Sequence, residues 1–157
     1  MLQLVEVILY EIRRASTPKF IALPIIFAAG AGQVEQGMAQ CVRNPVVHLE
    51  LRTGNLARAC AFYSRLFGWG AETVHTGSGD YVTLGLGGRI EGGVVEHETG
   101  RPFWLPYVEV TDVVEAVERA RLLGATVLLP PREGPAGWRS ILAVAGGGEI
   151  ALWQPKA

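Results

Sequence analysis

Histidine and cysteine are scarce in this chain, and their scarcity excludes several chemistries. The 157 residues include three histidines and two cysteines. Cys41 and Cys60 are not at CxxC spacing, and no histidine pair sits near them at finger distance. A zinc finger is therefore not expected. Two cysteines make no disulfide framework, so a reducing cytoplasm is the expected compartment. Cys60 falls on the apolar face of a predicted helix, where a free cysteine serves as a small buried hydrophobe. Neither sign of charge is in excess: 14 Lys and Arg stand against 15 Asp and Glu, a formal net charge of −1. Without a basic stripe, nucleic acid and anionic membranes are not expected partners. The apolar run from Phe20 to Gly32 is 13 residues long and contains Pro24. That is short of the roughly 20 residues a spanning helix needs. No GxSxG nucleophile elbow is present. Gly77-Ser78-Gly79 is not followed by GK[ST], and Gly146-Gly147-Gly148 precedes a strand where a dinucleotide fingerprint would precede a helix.

The first 43 residues read differently from the rest. Leu2, Val5, Ile8, Leu9 and Ile12 follow a helical period up to Ser16-Thr17-Pro18. A secretory signal would suit the small residues near Ala29 and Ala31, but Glu6 and Glu11 stand ahead of the apolar run. A partner-binding extension is a second reading. The expected reading is a dispensable N-terminal extension over residues 1–43, with Met38 as the natural start of the domain.

What the chain does have is glycine, 20 residues of it, and a pattern stated twice. Frequent glycine suits many short strands and tight turns. Val46–Leu51 alternates as a strand. Asn55 can cap a helix over Leu56–Phe67, with Leu56, Ala59, Cys60, Tyr63, Leu66 and Phe67 at helical spacing. Gly68 then ends it. Strand-like runs follow at Ala71–His75, Tyr81–Leu86 and Ile90–His97. A second copy opens at Trp104. Pro106–Val110 reads as a strand, Asp112 caps a helix over Val113–Leu123, and Gly124 ends it. Runs at Thr126–Leu129, Trp138–Val144 and Glu149–Trp153 follow, with Pro130-Pro131 as the first break. His48-Leu49-Glu50-Leu51 overlays Tyr107-Val108-Glu109-Val110. This self-similarity predicts an α+β fold. Strand, helix and hairpins in each copy, about 46–97 and 104–156, favour helices packed on one face of a mostly antiparallel sheet, with the other face free to curl around a ligand.

The string HLELRTGNLARACAFYSRLFGW at His48–Trp69 resembles the opening of a vicinal-oxygen-chelate domain, of the glyoxalase, bleomycin-resistance and extradiol-dioxygenase superfamily. WLPYVEVTD at 104–112, Gly124, Pro130-Pro131 and EIALWQP at 149–155 continue the resemblance, which covers about residues 44–157. It implies two βαβββ modules forming a cup-shaped mixed sheet with helices on the outer face, and in the metal enzymes one His or Glu ligand on each of four strands around a divalent ion. The ion acts there as a Lewis acid on two neighbouring substrate oxygens. Carried over, the first ligand position falls on His48. The second module's falls on Tyr107, an unusual ligand in this family. The others fall near Gly92, Gly93 or Val94, and on Ala151. One position of four is filled, against the three or more protein ligands a stable site uses.

Residues two apart on a strand share a face. Glu50 therefore joins His48, Glu109 joins Tyr107, and Glu149 and Trp153 join Ala151. A displaced metal site of His48, Glu50 and Glu149 is the weaker alternative, and Glu96 would share the face of Val94. The candidate ligand-binding residues are His48, Glu50, Trp104, Tyr107, Glu109, Glu149 and Trp153. The plain alternative for each is a packed or hydrogen-bonded strand residue. A carboxylate facing the cup needs a partner, and Arg52, Arg139 or Tyr107 can supply one. His75 and His97 are expected to be solvated. The expected function is small-molecule binding in the cup with no catalytic metal. The alternatives are a metal-dependent lyase, isomerase or dioxygenase, with His48 as a general base or ligand, and an assembly module docking through its N-terminal helix. A homodimer is implied by the resemblance alone.

Overall fold

The computed structural model describes residues 44–76, 79–88, 90–97, 100–134 and 136–156. The expected N-terminal extension and its internal start at Met38 lie outside these residues. In chain order the elements are β1 Val46–Thr53, α1 Leu56–Phe67, β2 Ala71–Thr76, β3 Gly79–Leu84 and β4 Glu91–Glu96. The second set is β5 Phe103–Glu109, α2 Val113–Leu122, β6 Thr126–Glu133, β7 Gly137–Ala143 and β8 Glu149–Pro155. The predicted α+β class and the repeat of strand, helix and three strands are both present.

Local chemistry sets the helix ends. The Asn55 side chain accepts from Arg58 N at 2.9 Å, and Asp112 accepts from Glu115 N at 2.9 Å. Each satisfies a backbone donor that the first helical turn leaves open. Gly68 closes α1 at φ 71°, a left-handed conformation that a side chain disfavours.

The eight strands form one mixed sheet in the order β2-β3-β4-β1-β5-β8-β7-β6. β1 and β5 are antiparallel at the centre, and each runs parallel to the last strand of its own module. The sheet is therefore two four-stranded halves joined along the β1–β5 ladder. Strand alternation sorts side chains onto two faces. Leu51, Val82, Leu84 and Val94 pack with Leu56, Ala59, Cys60 and Tyr63 of α1. Val110, Leu142 and Leu152 pack with Val113, Ala116 and Val117 of α2. Both helices thus cover one face. The other, concave face carries a third cluster that includes Tyr81, Leu105, Tyr107, Ile141, Ala151 and Trp153.

The ladder registers reveal a pseudo-two-fold axis through the β1–β5 pair. Glu50 pairs with Leu105, and His48 with Tyr107. More than one two-fold maps an antiparallel ladder onto itself. Exchanging these two pairs makes His48 equivalent to Leu105 and Glu50 to Tyr107. The helix caps select this relation, since Asn55 follows His48 by seven residues and Asp112 follows Leu105 by seven. The outer ladders extend the relation. Glu50 pairs with Gly93, and Tyr107 with Ala151, which makes Gly93 and Ala151 equivalent. The sequence overlay of His48 on Tyr107 is two residues out. A two-residue slip keeps every side chain on its face, so alternation could not detect it.

Other expectations also need correction. Pro130-Pro131 does not break the strand but lies inside β6. That strand is a sheet edge, where proline costs little, and its register is irregular between Leu129 and Arg132. Leu66 and Phe67, at helical spacing with the other apolar residues of α1, are 57% and 56% exposed. The helix makes its core contacts through Leu56, Ala59, Cys60 and Tyr63, and none of its residues is fully buried, Cys60 included. Its last turn adds a ring contact, Phe67 lying 4.9 Å from Trp69, and a hydrogen bond from the Ser64 hydroxyl to Trp69 O at 2.7 Å.

One close approach depends on a missing side chain. A Cβ at Gly93 would fall 1.5 Å from the Tyr81 hydroxyl oxygen and 2.2 Å from the adjoining ring carbon. Tyr81 therefore occupies the volume of the absent side chain. Gly93→Ala is expected to cost at least about 2 kcal/mol by overpacking, while Gly88→Ala, which meets nothing within 4 Å, serves as the neutral control. Urea denaturation of both variants checks this. Equal midpoints would show that Tyr81 steps aside freely.

Candidate functional site

The concave face gathers polar groups that sequence reasoning placed there and others it did not. His48, Glu50, Tyr107 and Trp153 are each 1% exposed or less, and all sit on this face. Tyr81 and Arg139 join them, equally buried. β1 contributes His48 and Glu50, β5 contributes Tyr107, and Ala151 and Trp153 come from β8. The small residues Gly93 and Ala151 flank the seam and leave space for the rings.

Two hydrogen-bonded chains organise the face. The Tyr107 hydroxyl donates to Glu50 Oε2 at 3.0 Å, and Arg52 Nε donates to Glu50 Oε1 at 2.8 Å. Both carboxylate oxygens of Glu50 are thereby engaged, as a buried charge requires. The Arg52 guanidinium also lies 5.9 Å over the Phe103 ring. Separately, the Tyr81 hydroxyl and His48 Nε2 are 3.0 Å apart. The His48 ring meets Tyr107 edge-on at 5.3 Å. The other ring nitrogen of His48, Nδ1, is buried with no hydrogen-bond partner among the described residues.

These surroundings shift the titration of the groups. Burial pushes the His48 imidazole down to about 4, so it is neutral near pH 7. Burial, and then the charge of Glu50, holds the Tyr81 and Tyr107 phenols above their ordinary range. Burial opposes the charge of Arg52, but the Glu50 carboxylate beside it outweighs burial and holds the guanidinium above its usual value. Glu149 acts on Arg52 in the same direction more weakly.

The residues do not fit the metal site that the resemblance implies. With the two-fold relation corrected, the positions that match the family's ligands are His48, Gly93, Leu105 and Ala151. Leu105 replaces Tyr107 in that set and is aliphatic. At Gly93 the Tyr81 phenol fills the space a ligand side chain would need. In the displaced alternative, Glu50 is committed to Tyr107 and Arg52. Among the described residues, no group of three His, Cys, Asp or Glu side chains is placed to hold an ion.

Trp104 is not a cup residue. It lies three residues from Tyr107, hence on the opposite face, where its Nε1 donates to the Tyr63 hydroxyl at 3.3 Å. Glu109 and Glu149 are half-buried toward the ends of their strands, on the strand parity of the cup. Glu96 shares Val94's parity, which is the helix face, and is exposed. His75 is exposed as expected, whereas His97 is half-buried with its ring 6.4 Å from Phe103. Sequence reasoning missed Tyr81 and Glu91. Glu91 pairs with His48 in the β1–β4 ladder and is the two-fold mate of Glu149. Counting back from Gly93 by twos would have found Glu91. Nothing local marks Tyr81, which reaches His48 from two strands away.

The buried neutral imidazole sets a pH dependence. Its folded value lies below the unfolded value of about 6.5, so the stability it supplies is complete above that pH. That stability is lost as pH falls toward about 4. The loss is on the order of 3 kcal/mol. Urea midpoints of the wild type are expected to drop across this window, and those of His48→Phe to drop less. Parallel slopes for the two proteins would show that His48 titrates normally.

Comparison with known proteins places this geometry. The profile of the Glyoxalase/Bleomycin resistance protein/Dioxygenase superfamily matches residues 46–145. CFP32 of Mycobacterium bovis, provisionally named a glyoxylase, is 31% identical over 114 residues, covering 68% of this chain and 44% of its own length. The anthracycline biosynthesis protein DnrV of Streptomyces peucetius is 24% identical over 123 residues, covering 67% of this chain and 45% of its own. The chain spans less than half the length of these curated relatives. Methylmalonyl-CoA epimerase from Mycobacterium tuberculosis shares the fold, with a TM-score of 0.52 and 17% identity over 71% of this chain and 87% of that one. On the profile match, which covers more than half of its residues, the chain belongs to the Glyoxalase/Bleomycin resistance protein/Dioxygenase superfamily.

Proposed function

We propose that this domain binds a small organic molecule in its cup without a catalytic metal. The observation that carries the reading is the set of residues at the four family ligand positions. His48 is the only one of His48, Gly93, Leu105 and Ala151 with a ligating side chain, and a stable divalent site uses three or more. In place of ligands, the face presents hydrogen-bonding groups on an apolar ground. Leu105, Ile141 and Trp153 supply the apolar surface, and His48, Tyr81, Glu50, Tyr107 and Arg52 supply the polar groups. Polar side chains set among apolar ones are what fix the orientation of a small molecule in such a site.

The enzyme reading rests on different chemistry. The described residues support it only through His48, whose imidazole is neutral near pH 7 but, with its value pushed down to about 4 by burial, is a weak base. A lyase, isomerase or dioxygenase of the metal-dependent kind would need an ion that binds tightly.

Metal loading separates the two. The full chain is stripped with chelator, then dialysed against zinc, manganese or nickel. The expected result is well under one ion per chain and no rise in melting temperature, since an ion that bound the fold would raise it. One ion per chain with a melting point several degrees higher would overturn the binding reading in favour of the metal enzyme.

A further inference from the structure

The two helices begin alike and then differ in charge. On the face that the helices cover, a groove of about 480 Å³ lies between the first turns of α1, the end of β1 and the approach to β5. Leu51, Phe62 and Pro102 line it with apolar surface, and Thr53, Arg58 and Tyr63 bring polar groups. The pseudo-two-fold that sets Asn55 on Asp112 also sets Arg58 on Glu115 and Phe62 on Arg119. In α2 those two positions satisfy each other, Arg119 Nη1 donating to Glu115 Oε1 at 2.8 Å. In α1 the mate of that ion pair is a cation four residues from an aromatic ring. Arg58 is exposed and has no ion pair among the described residues, and Phe62 is 56% exposed. Among the described residues, no carboxylate lines the groove. Glu96, the partner of Thr53 in the β1–β4 ladder, stands on the flank away from β5.

The groove therefore offers one guanidinium without a counter-ion and apolar surface next to it. Thr53 Oγ1 accepts from Asn55 N at 3.2 Å, and the Tyr63 hydroxyl accepts from Trp104 Nε1 at 3.3 Å. Each hydroxyl keeps one O–H to give and one lone pair to fill, so neither decides the sign of a ligand. Arg58 decides it. A guanidinium fork matches a carboxylate through two parallel N–H···O bonds, and a ring beside the fork favours a flat apolar body. The volume falls within the roughly 300–1,000 Å³ of small-molecule sites. We propose that this groove is a second ligand site that binds a small aromatic carboxylate, with the carboxylate on Arg58 and the ring against Phe62 and Pro102. It lies on the opposite face of the sheet from the cup and does not rest on the reading above.

The test titrates 2-naphthoate and 2-naphthylmethanol, two probes of like shape that differ in charge, into the full ¹⁵N-labelled chain near neutral pH. Naphthoate is expected to move the backbone amide resonances of residues 53–63 and to bind about fivefold more tightly than the alcohol, as an exposed ion pair allows. Arg58→Gln, at an exposed position that leaves the fold intact, is expected to remove that preference. Arg58→Lys, which keeps the charge but not the fork, is expected to fall between the two. Phe62→Ser is expected to weaken both probes. Equal binding of the probes, or a preference that survives Arg58→Gln, would overturn the carboxylate assignment. Shifts confined to the cup, around His48 and Tyr107, would overturn this second site while favouring the cup as the binding face. Broadening of the same amides with rising protein concentration, and no response to naphthoate, would give the groove to a second copy of the chain and overturn the proposal. No shift from either probe would overturn it as well.

Discussion

A buried carboxylate constrains the whole arrangement. Glu50 sits on the central strand, 1% exposed, and a charge there is unfavourable by several kcal/mol unless it is met. One of its partners, Arg52, comes from its own strand, and the other, Tyr107, comes from the second module. The two halves of the sheet share one ladder, β1–β5, and the Tyr107–Glu50 bond crosses it on the concave side. Neither module can satisfy Glu50 alone. The carboxylate therefore ties the burial of the cup floor to the joining of the halves, and the ring contact of His48 with Tyr107 lies on the same seam.

The same face shows how a fold shared with metal enzymes can be furnished differently. Where the family pattern calls for side chains that reach inward to an ion, this chain has glycine, leucine and alanine. The vacated volume is not left open. Tyr81 crosses from β3 over Gly93 to reach His48. The missing side chain at 93 and the phenol above it are one packing arrangement, because a Cβ there would fall 1.5 Å from the hydroxyl oxygen. The face carries the Tyr81–His48 hydrogen bond, the Glu50–Arg52 ion pair and the buried Arg139. The relatives do not decide the matter, since this chain matches less than half the length of CFP32 and DnrV.

The sequence by itself determined the elements and their order. Asn55 and Asp112 as caps, Gly68 as a left-handed stop, and the alternation of the strands are local features, decided by sterics and by hydrogen bonds within a few residues. They made the α+β class, both helices and the repeated module legible, and alternation correctly put His48, Glu50, Tyr107 and Trp153 on one face. Parity also held the information that Trp104 points the other way. What alternation could not supply was register, because a shift by two leaves every face unchanged. That is why His48 was set against Tyr107, when its two-fold equivalent is Leu105. The tertiary structure alone decided the partners: that Glu50 takes Tyr107 across the seam, that Tyr81 reaches His48 from two strands away, and that Pro130-Pro131 rides an exposed edge. Those depend on which strands become neighbours, and strand neighbours are chosen by packing between distant segments, about which the local pattern of residues carries no signal.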